Sequence, residues 1–275
     1  MSQILVDATW LADHLDELIV ADVRWSASGG TAEATRAFAA GHIPGAVFFD
    51  VDRDLAATPF VDGPGRHPLP SPEAFTQTLS AAGIGDGDLV VAVDDVRGSV
   101  AARLWWMLDA TDRSAALLDG GLEVWSGPLE RGPARARPAT EPEVRPWPAD
   151  RLANADDVAR AGLVLDARTA ERFRGDVEPI DPVPGHIPGA RSAPWVSNLD
   201  DDGRFLPSDV LAARYRELGV TDDGTVIGYC GSGVTSCLDL FALRLAGFGN
   251  ARLFAGSWSA WVHDPSRPVA VGDDG

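Results

Sequence analysis

One hexapeptide, Gly-His-Ile-Pro-Gly-Ala, occurs twice without change, at Gly41–Ala46 and again at Gly185–Ala190, 144 positions on (41 to 185). Two further landmarks repeat in the same order. Ile19-Val-Ala-Asp-Val-Arg24 is echoed by Leu163-Val-Leu-Asp-Ala-Arg168, and Leu117-Leu-Asp-Gly-Gly-Leu-Glu-Val-Trp125 by Leu253-Phe-Ala-Gly-Ser-Trp-Ser-Ala-Trp261. Three ordered matches mean that one unit has been duplicated. Each copy alternates short apolar runs, such as Leu89–Val93 and Ala115–Leu118, with segments of helical period. Ser71-Pro-Glu-Ala-Phe75 has the N-cap and first-turn proline of a helix start. An α/β fold is expected, with two tandem domains, each a mostly parallel sheet with helices on both faces. The expected division is 1–130, a Pro- and Arg-rich linker without periodicity over 131–150, and 151–275.

The second copy holds the candidate chemistry. Val226–Tyr229 reads as a buried strand, Cys230 stands at its end, and Gly231, Ser232 and Gly233 allow a tight turn. From Val234 the apolar period becomes helical, through Leu238, Phe241, Ala242 and Leu245. Cys230 is thus expected to open a loop leading into a helix start, where main-chain N–H groups favour an anion and lower a thiol's pKa. In the first copy the matching position, 136 residues back (230 to 94), is Asp94. The first domain is therefore expected to be catalytically inactive.

Net charge is −18, with every basic residue an arginine. That argues against nucleic acid and anionic membranes as partners, but not against a small anion met by a local arginine cluster. There are two cysteines, Cys230 and Cys237, so no disulfide framework is implied. No apolar run is long enough for a membrane span and no basic, apolar leader is seen, so a cytoplasmic protein is expected. Two cysteines without nearby histidines make no zinc site.

These residues resemble the two-domain rhodanese-like sulfurtransferases. The resemblance rests on the paired Gly-His-Ile-Pro-Gly-Ala segments, Asp-Ala-Arg168 before Glu171-Arg-Phe-Arg-Gly175, the Cys230 loop, and Asp119-Gly-Gly-Leu-x-x-Trp125. It implies two rhodanese folds and a persulfide on Cys230, with no metal or organic cofactor. Cys-Gly-Ser-Gly-Val-Thr looks like the 3-mercaptopyruvate branch, and Arg and Lys after the cysteine mark the thiosulfate branch. The resemblance then implies Ser232, His67 and Asp52 as a catalytic relay. It also implies Arg172 as a clamp for the donor's carboxylate, with Arg174 beside it and Gly231, Gly233, Val234 and Thr235 as the loop that cradles the anion. A second arginine is expected over Val177–Pro182, and none is there; that absence motivates thiosulfate as the alternative donor. The implied partners are a small anionic sulfur donor and an acceptor, either thioredoxin, a small thiol or cyanide.

Two remoter readings are weighed. A cysteine-based phosphatase needs an arginine closing the loop, and none follows before Arg244. A non-catalytic binding module would lack the nucleophile. The duplication also sorts structural residues. Asp22–Arg24, Asp166–Arg168, His42 and His186 have twins, one of each pair in a domain without the nucleophile, so they are expected to serve the fold. His67 has no twin. Cys237 is expected in the core, His14 and His263 at the surface, and Asp239 with Arg244 as solvent-facing groups on the active-loop helix.

Overall fold

The computed structural model describes residues 3–26, 28–57 and 65–273. It divides into two units, one of residues 1–58, 69–147 and 202–204, the other of 59–68, 148–201 and 205–275. The second unit thus includes the described residues 65–68 from the chain's first quarter.

The first unit contains β1 (Leu5–Val6), β2 (Ile19–Arg24), β3 (Val47–Asp50), β4 (Val90–Val93) and β5 (Ala115–Leu118). They form one sheet in the order β1-β5-β4-β2-β3, with every pairing parallel. The second unit's sheet runs β7 (Ala190–Ser192), β6 (Val164–Asp166), β8 (Val226–Tyr229), β9 (Ala251–Leu253), again all parallel. A fragment of the missing fifth strand survives as a parallel bridge from Leu152 to Leu253. Every residue of β2, β4, β5 and β8 is buried, as continuous apolar runs require when helices cover both faces. The helices Ala101–Ala110 and Ser236–Leu245 are buried almost all round. Residues 131–147 carry no helix or strand but are tied down within the first unit. Ser80 Oγ donates to the Thr140 carbonyl at 2.5 Å and Trp147 Nε1 to the Pro70 carbonyl at 2.8 Å.

The repeated residues do matching jobs. Arg24 grips Asp22, with Nη2 to Oδ2 at 2.9 Å, and Arg168 grips Asp166, with Nη2 to Oδ2 at 2.6 Å. His42 stacks on Phe38 at 3.8 Å and His186 on Phe173 at 3.7 Å. Each also places Nδ1 within hydrogen-bond reach of that phenylalanine's carbonyl, at 3.0 and 2.8 Å. His14 is half-buried and stacked on Trp10 rather than free at the surface. The apolar face of Trp10 shelters a ring that spacing alone would leave in water.

The loop after β4 shows what replaced the thiol. Asp94 Oδ1 accepts from the N–H groups of Val96 (3.0 Å) and Gly98 (2.7 Å), and Oδ2 from those of Val100 and Ala101 (both 2.8 Å). The cradle of N–H groups is filled by the chain's own carboxylate. Asp95 instead pairs with Arg24. Burial pushes the Asp94 carboxyl above its ordinary range, against the four N–H donors that pull it down. Asp94→Ala would strand those four donors. It is expected to cost about 2–4 kcal/mol in denaturant unfolding; a change below about 0.5 kcal/mol would show that the loop holds itself without the carboxylate.

Candidate active site

Cys230 follows β8 directly, and residues 257–259 hold it from the side. Its N–H donates to Ser257 Oγ at 3.1 Å, its carbonyl accepts from Trp258 N–H at 2.9 Å, and the Gly231 carbonyl accepts from Ser259 N–H at 3.0 Å. The Gly233 N–H points at Cys230 Sγ, 3.1 Å away. Gly233 has φ +79°, and a Cβ there would lie 2.3 Å from the Ala255 carbonyl oxygen, so the turn admits only glycine. The helix behind the loop starts at Ser236 and not at Val234, because residues 231–235 are used to turn the chain around the sulfur.

Cys230 is buried. Burial opposes its ionisation, but the hydroxyl of Thr235, the N–H of Ser232 and the hydroxyl and N–H of Ser236 favour the thiolate. Together they leave the thiol below its ordinary value. Val234 is buried in the loop wall and Cys237 is buried in the helix, its Sγ 3.3 Å from the Gly233 carbonyl.

Ser232 and His67 come together. His67 Nδ1 lies 2.7 Å from Ser232 Oγ, and both residues are 7% exposed. Asp52 belongs to the first unit, where Trp25 Nε1 donates to its Oδ1 at 3.1 Å. Arg172 faces the loop. Its Nε and Nη2 donate to the two oxygens of Glu178 at 3.2 and 2.7 Å, and Nη2 also reaches Asp181 Oδ2 at 3.3 Å. Arg174 turns away, with Nε 2.8 Å from Asp176 Oδ2 at the surface.

Sequence reasoning missed Arg66. Its Nη1 donates to Asp181 Oδ1, and its Nη2 lies 2.8 Å from where a Gly231 Cβ would stand. The one signal was its place next to His67 in the sequence.

The expectation for Asp239 is corrected. Arg244 is exposed, but Asp239 is 1% exposed, and its Oδ1 accepts from Asn198 Nδ2 at 2.5 Å. The helix is packed on all sides by β8, β9 and the helix Ser208–Glu217, so helical period does not reveal a solvent face. Burial, with the nearby Cys230 and Asp166 adding to it, pushes the Asp239 carboxyl up to about 8.

Two measurements check this electrostatic picture. Alkylation of Cys230 by iodoacetamide should titrate below the midpoint of an ordinary free thiol, and Thr235→Val should move the midpoint up. An unmoved midpoint would remove the hydroxyl's role. For Asp239 the folded value lies above the unfolded one, about 3.9. The native state therefore keeps a proton that the unfolded chain loses between about pH 4 and 8, and stability falls as pH rises through that window. Asp239→Asn, uncharged throughout, should gain on the wild type by up to about 1.4 kcal/mol per pH unit there. A difference in thermal stability that stays constant from pH 5 to 8 would refute the assignment.

Comparison with known proteins agrees with this geometry. The rhodanese-like domain model matches residues 7–128 and again 148–264. The chain is 45% identical to a probable 3-mercaptopyruvate sulfurtransferase of Pseudomonas aeruginosa, over 98% of each chain. It is 40% identical to the putative thiosulfate sulfurtransferase SseB of Mycobacterium tuberculosis, again over 98% of each. The crystal structure of SseA from Escherichia coli, a 3-mercaptopyruvate sulfotransferase, is 33% identical and superposes with a TM-score of 0.79, covering 94% of this chain and 100% of that one. With a rhodanese-like domain in each half and relatives of this name over its full length, the chain belongs to the rhodanese family of sulfurtransferases.

Proposed function

We propose that the protein moves a sulfane sulfur from 3-mercaptopyruvate to a thiol or to cyanide through a persulfide on Cys230. The observation that carries this reading is the 2.7 Å contact between His67 Nδ1 and Ser232 Oγ, two residues from the nucleophile. The Cys230 thiolate attacks the donor's sulfur. An S–S bond forms as the C–S bond breaks, and the C–S electron pair leaves on carbon as the enolate of pyruvate. That carbon needs a proton. Ser232 supplies it, with His67 at its oxygen to relay the proton released from the donor's thiol. The Gly233 N–H, already directed at Sγ, stabilises the anionic sulfur. Arg172 receives the donor's carboxylate. Arg174, half-buried and paired with Asp176, is left out of the donor site.

In the second half an acceptor thiolate, from a small thiol or thioredoxin, attacks the outer sulfur and carries it away as a new persulfide. Cyanide instead leaves as thiocyanate. Either way Cys230 returns as thiolate. Electrons balance between sulfur and the departing enolate, so the chemistry calls for no cofactor. The setting we assign is the cytoplasm, where the two buried free cysteines stay reduced. Among the described residues no helix is long and apolar enough to cross a membrane.

Thiosulfate is the second reading, motivated by the absence of the second arginine expected over Val177–Pro182. Its leaving group, sulfite, needs no proton at carbon, which separates the two donors. Sulfur loading of Cys230, followed by intact-protein mass spectrometry with Cys230→Ser as the blank, should be faster from 3-mercaptopyruvate than from thiosulfate. Ser232→Ala should slow the first by about 10²–10⁴-fold and change the second only a few-fold. Faster wild-type loading from thiosulfate, with Ser232→Ala harmless to both, would replace the first reading by the second.

A further inference from the structure

The segment where a second arginine was expected holds two acids, Glu178 and Asp181, yet a second guanidinium reaches the same place from elsewhere in the sequence. Residues 65–68 belong to the second unit, and they are fixed there through the main chain. Gly65 has φ +112°, and a Cβ on it would lie 2.4 Å from the Gly256 carbonyl oxygen, so the two backbones touch. Arg66 N–H donates to Ser259 Oγ at 3.0 Å. The stretch 256–259 that anchors Arg66 is therefore the one whose residues 257–259 hold Cys230 and Gly231.

The side chain is also well placed. A Cβ on Gly231 would stand 2.8 Å from Arg66 Nη2 and 3.5 Å from Arg172 Nη2, so the two guanidiniums bracket the residue next to the nucleophile. Both bind Asp181, one to each oxygen. The acids lie behind the bases: the side chains of Asp181 and Glu178 are 3% exposed, those of Arg66 and Arg172 25% and 15%. The open edge of the cluster is cationic, and its buried edge is anionic.

We propose that Arg66 is the second guanidinium of the donor site, binding the carboxylate of an α-keto acid together with Arg172, with Asp181 as the shared counter-ion that sets their spacing. This rests on the 3-mercaptopyruvate reading above. Two arginines against two acids leave little net charge around Gly231. A monoanionic carboxylate gains bidentate hydrogen bonds there, while a dianion such as thiosulfate meets Asp181 and Glu178 without a surplus of positive charge to offset them. A side chain at position 231 would displace the Arg66 guanidinium from this place.

The test compares wild type, Arg66→Ala and Arg66→Lys. Loading of Cys230 is measured from 3-mercaptopyruvate and from mercaptoacetone, the same keto thiol without a carboxylate. Protection of Cys230 by pyruvate against the neutral alkylating agent iodoacetamide is measured alongside, each variant referred to its own rate without pyruvate. Arg66→Ala is expected to raise KM for 3-mercaptopyruvate by about 10–100-fold, the loss of a charge-assisted hydrogen bond. Loading from mercaptoacetone should change less than about threefold, pyruvate protection should be lost, and Arg66→Lys should fall between. Equal losses with both donors would make Arg66 a support of the loop and overturn the proposal. Unchanged KM and unchanged protection would overturn it too, while leaving the 3-mercaptopyruvate reading intact. If the wild type fails to load from 3-mercaptopyruvate but Arg66→Ala still loses pyruvate protection, the donor reading falls and the carboxylate site at Arg66 stands.

Discussion

The geometry of the Cys230 loop hangs on the grip that residues 257–259 keep on the end of β8. Main-chain groups of Cys230 and Gly231 are tied at three points, one of them the Ser257 hydroxyl. Ser257 adopts φ +53°, a left-handed conformation that costs a residue with a side chain about 1–2 kcal/mol. In the first unit the corresponding residue is Gly121, at φ +65°, which carries no such cost. The strain is kept where the hydroxyl makes two bonds: it accepts from the Cys230 N–H and donates to the Phe254 carbonyl at 2.9 Å. A cradle held from outside in this way does not have to reorganise when charge builds on the sulfur, which is what makes fixed N–H dipoles effective.

A second consequence follows for electrostatics. The chain carries −18 overall, yet the second unit places two arginines at Gly231, the residue after its thiol. Arg168 is locked to Asp166 and lies over the Trp258 ring at 4.7 Å, while Arg66 and Arg172 lie at Gly231. Each has an acid partner buried with it, as buried cations require. The field that a small anion would feel at the loop is set by these few residues rather than by the net charge.

Much of this was legible in the sequence, because duplication is its own control. A feature present in both copies, such as Asp22 and Asp166 or His42 and His186, had to serve the fold, and its geometry is the same in each half. The Cys230 loop was legible because its glycines and the change of period leave few other foldings. What was not legible depends on contacts between distant stretches. Arg66 sits 165 residues before Gly231 (66 to 231), and contacts of Gly65 and Arg66 with residues 256–259 bring it into the second unit. Asp239 was misread because amphipathic reasoning assumes that a helix has a wet face, and the one behind Cys230 has almost none.

The loop after β4 carries a lesson of a different kind. Asp94 occupies with a tethered carboxylate the position that an external anion would otherwise take. Its local concentration is fixed by the chain, so no solute can compete for those N–H groups. The first unit has in effect swallowed its own ligand, whereas on the proposed reading the second meets its anion from solution. One duplicated cradle has thus yielded a half that its own carboxylate fills and a half whose loop closes around a sulfur instead.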